Sequence, residues 1–278
     1  MNGKIVVTGA NGYIGRHVIT ELLKKKKQVI AVDIDNNNIP NGVKFIKKSI
    51  LDADEHIYEE LGCPDVCIHL AWRDGFKHNS DTHMLDLPKH YQFIKNMYAG
   101  GLPNMSVMGT MHEIGYWEGA VTADTPTNPL SLYGIAKNTL RQSAKLLANQ
   151  YNKNLNWLRG YYIVGDDQGN HSIFTKLLEK ECEGAEKFPF TSGVNKYDFL
   201  DVNELAEQIC AAALQTDISG EINCCSGKPV ALKDKVEQFL KEHDMNIKLE
   251  YGAFPDRPYD SPAIWGDDKK IRQIMSKM

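Results

Sequence analysis

Long apolar runs are missing from this sequence of 278 residues. No stretch of about 18 consecutive apolar residues occurs, so we expect neither a membrane-spanning helix nor a membrane partner. The segment Met1–Ala10 lacks the charged, apolar and small-residue order of a secretory signal, which predicts a cytoplasmic protein. An excess of positive charge is missing too. Because the formal net charge is −4, we expect no nucleic-acid partner.

Metal-ligand spacing is absent among the six cysteines. Cys224 and Cys225 are adjacent, and Cys63 and Cys67 are separated by three residues, which matches neither a zinc ligand set nor a redox pair. We therefore predict no metal site and expect the thiols to be small core residues in a reducing compartment. The composition, 42% hydrophobic and 24% charged, predicts a globular protein of one large or two modest domains.

Short β-branched runs alternate with amphipathic stretches in the first half of the chain. The predicted strands are Lys4–Val7, Gln28–Val32, Val43–Ile46, Val66–Leu70, Asn104–Met108 and Asn156–Ile163. Alternation of such strands with helices, including Tyr13–Leu23 and Tyr133–Tyr151, predicts a doubly wound parallel sheet of the α/β class. Further along we expect the helix Asn203–Leu214 and a packed loop over Tyr251–Trp265.

A glycine-rich loop, Thr8-Gly9-Ala10-Asn11-Gly12-Tyr13-Ile14-Gly15, follows the first strand directly. Its glycines would permit a tight turn, let the backbone approach a pyrophosphate and let the next helix pack closely. The amino terminus of that helix offers N–H groups to phosphate oxygens. The predicted cofactor contacts of this loop are Gly9, Asn11, Gly12, Tyr13, Ile14 and Gly15.

Asp33 ends the second strand, where an acid can bond the adenosine ribose and repel a 2′-phosphate. No arginine stands beside it in the sequence. NAD(H) is therefore the predicted cofactor and NADP(H) the alternative, and Asp35 could share or take the role of Asp33.

The G-x-x-G-x-x-G spacing after Thr8 resembles that of extended short-chain dehydrogenase/reductases, the NAD-dependent epimerase/dehydratase family. The resemblance implies a Rossmann fold and an adenine contact by Asp52, for which a helix cap is the alternative. The run His69-Leu70-Ala71-Trp72 is similar to the family's H-L-A-A segment. By that likeness Leu70 and Ala71 line the cofactor and Trp72 reaches the substrate, while His69 could be simply a strand-end histidine.

Tyr133 and Lys137 form the pattern Y-x-x-x-K, and residues four apart share one helix face. A nearby ammonium favours phenolate, so we expect Lys137 to lower the pKa of Tyr133 from about 10. Tyr133 could then exchange a proton with a carbonyl or an alcohol. The resemblance implies that Lys137 also binds the nicotinamide ribose and that Thr110 completes the catalytic trio, with Ser106 as a rival. Asp86 occupies the region where many members carry an asparagine.

Two later segments, Leu158–Gly165 and Tyr197–Val202, resemble family segments found in enzymes of nucleotide-linked sugars. The likeness implies that residues 1–160 form the NAD-binding domain, that 197–224 return to it, and that 161–196 and 225–278 form a smaller α/β substrate-binding lobe. The candidate substrate contacts are Trp72, His112, Glu113 and Arg257.

Three reaction classes share the predicted trio, and the resemblance favours NAD(P)H-dependent reduction of a nucleotide-linked 4-keto-6-deoxy sugar. An epimerase or 4,6-dehydratase with tightly bound NAD is the first alternative, and a catalytically silent NAD(P)-binding scaffold or sensor is the second. A homodimer is expected by the same resemblance.

Overall fold

The computed structural model describes residues 3–165, 172–255 and 260–277 of the chain. Its strands, in chain order, are Ile5–Thr8 (β1), Val29–Asp33 (β2), Lys44–Lys47 (β3), Val66–His69 (β4), Asn104–Thr110 (β5), Gly119–Val121 (β6), Asn154–Gly160 (β7), Tyr162–Val164 (β8), Lys187–Pro189 (β9), Lys196–Asp201 (β10), Gly220–Cys224 (β11), Pro229–Ala231 (β12), Lys248–Glu250 (β13) and Ala263–Gly266 (β14). Its helices are Tyr13–Lys24 (α1), Ile57–Glu60 (α2), Thr82–Gly100 (α3), Leu132–Tyr151 (α4), Ile173–Cys182 (α5), Val202–Ala213 (α6), Leu232–Glu242 (α7) and Lys269–Met275 (α8), with 3-10 turns at Ile50–Asp52 and Met111–Glu113.

Seven parallel strands form the larger sheet, in the spatial order β3-β2-β1-β4-β5-β7-β11. Side chains alternate between its faces, so Val6 packs towards α3 and α4, whereas Ile5 and Val7 pack towards α1 and α6. Helices cover both faces, which explains why the strands β1, β2 and β4 carry apolar residues at nearly every position. The predicted doubly wound α/β fold is confirmed.

The strand order reverses between β1 and β4, because β2 lies on one side of β1 and the chain continues from β4 on the other. Adjacent parallel strands whose connections leave in opposite directions open a crevice at their carboxyl ends. The glycine loop after β1, Leu70 after β4 and Thr110 at the end of β5 all lie at this edge.

A smaller sheet has the order β12-β10-β14-β6, with β8 also paired to β10. The segment 197–224 is divided between the two sheets. Strand β10 belongs to the smaller sheet, whereas α6 packs against α1 and β11 pairs with β7 in the larger one. The proposed domain boundaries stay a prediction.

Two predicted elements differ from the structure. Asn156–Ile163 is not one strand, because β7 lies in the larger sheet and β8 in the smaller one. The chain changes sheets at Tyr161, whose buried hydroxyl donates to Asn223 Oδ1 at 3.1 Å. The tail predicted as loop contains β14, which pairs with β10 and β6. Its partners are distant in the chain, so local patterning could not reveal them.

In residues 3–165, 172–255 and 260–277, no helix is both long and apolar enough to cross a lipid bilayer. Over the same ranges, no group of three or more histidine, cysteine, aspartate or glutamate side chains is arranged to hold a metal ion.

Candidate active site

The glycine loop turns sharply at the carboxyl end of β1 and enters α1 at Gly12. Gly9 has a φ of 67°, and a Cβ there would lie 2.6 Å from the backbone N of Ala71, so only glycine fits. A Cβ at Gly15 would lie 2.1 Å from the Gly9 carbonyl O. The third glycine therefore lets the helix approach the carbonyls of the loop itself, rather than the sheet.

The amino terminus of α1 is open to an anion. Gly12 caps the helix without a side-chain hydrogen bond, and a Cβ on it would meet the Gly9 carbonyl O at 3.2 Å. Two neighbours stabilise the loop: the Tyr13 hydroxyl donates to the Gly165 carbonyl O, and Ile14 packs against the core on the α1 side of the sheet. Backbone N–H groups at such a terminus bind phosphate oxygens.

A cavity of about 360 Å³ adjoins this terminus. Its walls are the glycine loop, the ends of β2 and β4, the segment Lys48–Leu51, and the side chains of Arg73 and His90. Largely apolar walls beside a phosphate-binding terminus fit the adenosine half of a dinucleotide.

Asp33 and Asp35 both line the cavity. The carboxylate of Asp33 accepts the backbone N–H of Asn11 at 2.9 Å and that of Ile34 at 2.7 Å, which holds it in one orientation. The Asn11 side chain donates to Asp35. Asp52 is exposed, and Lys48–Leu51 of the same segment form the wall of the cavity. The structure therefore brings the two earlier acids to the cavity more directly than Asp52.

The end of β4 supplies both cavity wall and buried hydrogen bonds. Leu70, Ala71 and Trp72 line the cavity, so Trp72 stands beside the predicted cofactor contacts. His69 lies beneath them, with Nδ1 2.7 Å from the Thr8 hydroxyl and Nε2 3.1 Å from Nδ1 of His90. Burial holds the pKa of His69 well below its usual value and lowers that of His90 to about 3, so both rings are neutral at physiological pH.

Helix α4 presents Tyr133 and Lys137 from its first two turns. The Ser131 hydroxyl caps the helix by accepting the Gly134 N–H at 3.2 Å. The Lys137 ammonium donates to the Met108 carbonyl O at 2.7 Å and lies 3.9 Å from the centre of the Trp72 ring. Its distance from the Tyr133 ring centre is 6.0 Å. The predicted pair therefore meets at the carboxyl edge of the sheet, beside the cavity.

Burial dominates the electrostatics of this pair. It raises the pKa of Tyr133 to about 12, although a hydrogen bond from Thr110 acts in the opposite direction. It lowers the pKa of Lys137 from 10.5 to about 7, against a smaller upward effect of Glu113. The expected lowering of the Tyr133 pKa by Lys137 is therefore wrong for the chain by itself, because loss of hydration penalises phenolate and ammonium alike.

Thr110 is the hydroxyl residue that the structure brings to Tyr133. The Thr110 hydroxyl also accepts the N–H of His112 at 3.3 Å, and this hydrogen bond caps the start of the 3-10 turn Met111–Glu113. Ser106, the rival, is fully buried within β5, and its hydroxyl accepts the Asn156 side-chain amide at 3.3 Å. Ser106 thus belongs to the core of the sheet.

His112 and Glu113 differ in placement. The centre of the His112 ring lies 5.9 Å from that of the Tyr133 ring. Burial lowers the pKa of His112 to about 4, and the nearby His78 adds a smaller lowering. Glu113 is fully buried, and its carboxylate accepts hydrogen bonds from the Thr110 N–H and the Trp157 indole. The prediction that Glu113 contacts substrate is wrong, because its oxygens are enclosed by protein donors.

The comparisons with known proteins agree with this geometry. The profile of the NAD dependent epimerase/dehydratase family matches residues 5–225. The chain is 46% identical to the dTDP-6-deoxy-L-talose 4-dehydrogenase (NAD(+)) of Aggregatibacter actinomycetemcomitans, covering 94% of this chain and 98% of that one. The chain belongs to the NAD dependent epimerase/dehydratase family. A more distant relative, UDP-arabinose 4-epimerase 1 of Arabidopsis thaliana, is 24% identical, over 98% of this chain and 74% of its own length.

Solved structures of epimerases share the fold. The UDP-glucose 4-epimerase of Thermotoga maritima, solved with UDP-glucose, superposes with a TM-score of 0.82 at 21% identity, covering 97% of this chain and 91% of that one. The UDP-glucose 4-epimerase of Thermus thermophilus, solved with NAD, gives 0.81 at 20% identity, over 97% and 92%. The extended short-chain fold predicted from the glycine loop is confirmed.

Three histidines that the sequence patterns did not identify, His78, His83 and His90, lie between β4 and β5, near the Asp86 that they did identify. His83 and His90 share one face of α3 with Asp86, and Asp86 binds Arg73 through two hydrogen bonds of 2.7 Å. His78 stacks on Tyr133, with ring centres 5.5 Å apart. The spacing of three and seven residues along α3 was the available signal, because it places such residues on one helix face.

The remaining predicted substrate contact is Arg257. It lies outside the described residues.

Proposed function

We propose that this protein is an NAD-dependent oxidoreductase that interconverts the 4-keto and 4-hydroxyl groups of a nucleotide-linked 6-deoxy sugar. The observation that carries the proposal is the convergence of Thr110, Tyr133 and Lys137 beside the cavity at the glycine loop. The 46% identity to a dTDP-6-deoxy-L-talose 4-dehydrogenase, over nearly the full length of both chains, supports the substrate class.

The roles of the three side chains follow from their positions. NAD(H), when bound, supplies or accepts the hydride at the sugar carbon. Tyr133 gives a proton to the C4 oxygen during reduction and takes one from the C4 hydroxyl during oxidation. Thr110 binds that same oxygen and orients it towards Tyr133. Lys137 provides an ammonium for the ribose hydroxyls of the cofactor, while its bond to the Met108 carbonyl O holds it at the sheet edge.

The cofactor preference proposed is NAD(H) over NADP(H). The Asp33 carboxylate lines the cavity and is held by two backbone N–H groups, so it presents a fixed negative charge. A fixed carboxylate accepts a ribose hydroxyl and repels a 2′-phosphate. The name of the similar dehydrogenase specifies NAD(+), which supports the same preference.

An epimerase is the second candidate, because the chain also resembles an epimerase at 24% identity and folds like solved epimerases. A 4,6-dehydratase is less well supported, since Glu113 is enclosed by donors and cannot act as an acid or base on a sugar. Trp72 and His112 are proposed to contact the sugar, as their rings lie about 6 Å from that of Tyr133.

Release of cofactor separates the two candidates. The purified protein would be washed, denatured and assayed for NAD(H) in the supernatant. An empty protein that binds added NADH reversibly supports the dehydrogenase. Retention of one cofactor per chain, with no net oxidation of a dTDP-6-deoxy-hexose, would instead favour the epimerase.

Tyr133→Phe tests the proposed chemistry. Loss of the phenol should lower kcat for NAD-dependent oxidation of dTDP-6-deoxy-L-talose by about 10²- to 10⁴-fold, with NADH affinity retained. Tyr151→Phe, at the other end of α4, is the matched control and should keep kcat within about twofold. Normal turnover by Tyr133→Phe would exclude the mechanism.

A homodimer and a cytoplasmic location are also proposed. Leu85 of α3 and Leu146 of α4 are 72% and 71% exposed on two helices that pack against each other, which supports an interface with a second copy along these helices. Four of the six cysteines are buried, whereas Cys63 and Cys182 are exposed, so the expectation that all six are core residues is wrong for these two. Exposed free thiols suit a reducing compartment, which supports the proposed location.

A further inference from the structure

We propose that Glu113 is a positioning residue for the reaction, which acts by fixing the Thr110 backbone and by placing a buried negative charge near Tyr133 and Lys137. The inference deepens the proposed function and rests on its assignment of the catalytic trio. Glu113 itself touches neither substrate nor cofactor, because it is fully buried.

The first contribution is geometric. Glu113 Oε1 accepts the backbone N–H of Thr110 at 2.8 Å, while the Thr110 hydroxyl accepts a backbone N–H of the same turn, so the two residues form a capping box. The Trp157 indole N–H donates to Oε1 at 2.9 Å and to Oε2 at 3.1 Å from beneath. The carboxylate thus joins the end of β5 to β7 and sets where the Thr110 hydroxyl points.

Gly109 shows how closely this arrangement is packed. A Cβ at position 109 would lie 2.1 Å from the Trp157 Nε1 and 2.7 Å from Glu113 Oε1. Contacts that short do not occur, so any larger residue would separate the indole from the carboxylate. The glycine before the catalytic threonine is therefore explained by the Glu113–Trp157 hydrogen bond.

The second contribution is electrostatic. Two arginines face the carboxylate: Arg159 Nη2 from β7 and Arg141 Nε from α4 each lie 3.5 Å from Oε2. Arg159 is fully buried, so neither it nor Glu113 is solvated by bulk water. Arg141 also pairs with Glu221 of β11, which shares its positive charge between two carboxylates. Because the separation is 3.5 Å, these ion pairs neutralise the Glu113 charge only in part. The remaining negative charge acts on the neighbouring groups.

The groups on which the Glu113 charge acts include the catalytic pair, Tyr133 and Lys137. Besides the two arginines and the Trp157 indole, the titratable groups facing Glu113 are Tyr133 and Lys137 of α4 and Tyr161 after β7. The Glu113 carboxylate raises the pKa of all three, because a negative charge disfavours phenolate and favours ammonium. It therefore keeps Lys137 protonated to higher pH, in opposition to burial.

Glu113→Gln is the direct test, since the amide keeps the shape and an acceptor oxygen but removes the charge. We expect kcat for oxidation of dTDP-6-deoxy-L-talose to fall about tenfold to hundredfold with a small change in KM. The profile of kcat/KM against pH should move to lower pH by about one pH unit, because the pKa values of Tyr133 and Lys137 both fall. Glu113→Asp, which keeps the charge and shortens the reach, should keep the wild-type profile while lowering kcat.

Glu181→Gln is the matched control, because the Glu181 carboxylate of α5 also accepts two backbone N–H groups, those of Asn246 and Ile247, but belongs to a different part of the fold from the Thr110 turn. It should leave the pH profile and kcat near those of the wild type. Wild-type kcat and pH profile in Glu113→Gln would overturn the proposal, as would an equal shift in both glutamine variants. If Glu113→Gln does not fold, Trp157→Phe decides: an unchanged kcat overturns the proposal, and a lower kcat at unchanged KM supports it.

A measurement without substrate separates this proposal from the proposed function. In protein labelled with ¹³C-lysine, the Cε resonance of Lys137 reports its titration directly. Glu113→Gln should lower that pKa from about 7, whereas Glu181→Gln should leave it unchanged. If the titration shifts but the protein does not turn over dTDP-sugars, the assigned substrate is overturned and the role of Glu113 still holds. No shift would overturn the role of its charge.

Discussion

Lys137→Met should stabilise the protein while abolishing its proposed activity. Lys137 is 4% exposed, and burial lowers its pKa from 10.5 to about 7. In the unfolded chain a lysine ionises at about 10.4. Between these two values the unfolded chain therefore binds a proton that the folded protein does not, and the free energy of unfolding falls as the pH is lowered. Below about pH 7 Lys137 is protonated in the folded protein too, so the free energy of unfolding falls no further.

The magnitude follows from the same values. Each pKa unit is worth about 1.4 kcal/mol, so the lowered pKa costs at most about 5 kcal/mol of unfolding free energy at acidic pH. Methionine removes this cost but loses the hydrogen bond to the Met108 carbonyl O and the contact of the ammonium with Trp72. Those interactions are worth about 1 to 3 kcal/mol together. A net gain of at most about 2 to 4 kcal/mol remains, which corresponds to several degrees in Tm for a chain of this size.

Thermal unfolding of the wild type and Lys137→Met at about pH 6 and about pH 10 would measure this effect. The stabilisation should be present at the lower pH. It should shrink to less than about 1 kcal/mol at the higher one, where the folded Lys137 is neutral and the unfolded lysine is close to its own pKa. Lys176→Met, which replaces an exposed lysine of α5, should change Tm little at either pH. A Lys137→Met protein less stable than the wild type at pH 6 would refute the argument that burial of the ammonium outweighs its contacts.

Two further changes test the proposed cofactor preference and assembly. Asp33→Ser should raise kcat/KM with NADPH relative to NADH by about tenfold to hundredfold, since the repelling charge is removed, and a larger effect of Asp35→Ser would assign the role to that residue instead. Leu85→Glu should halve the mass measured by light scattering, because it buries a charge in the proposed interface. The same substitution at Val194, which is 55% exposed elsewhere on the surface, should leave the mass unchanged.

Local patterns in the sequence determined the nucleotide-binding half of the molecule. The glycine loop, the β-branched runs and the Y-x-x-x-K spacing are patterns within short segments. The structure places Gly9 in the turn after β1, and Tyr133 and Lys137 in the first two turns of α4. The second half was less predictable. Strand β14 and the change of sheet after β7 depend on pairing between distant segments, which periodicity does not report.

Tertiary structure alone decided the environment of the catalytic residues. The spacing of Tyr133 and Lys137 predicted a lowered tyrosine pKa, but enclosure by Trp72 and the surrounding histidines makes burial the larger influence. Glu113 looked like a substrate contact because it follows Thr110 closely in the sequence. Only the packing of Trp157, Arg141 and Arg159 around it showed that it faces the interior. Sequence spacing specifies which groups can meet, whereas the free energy of a charge depends on what surrounds it in three dimensions.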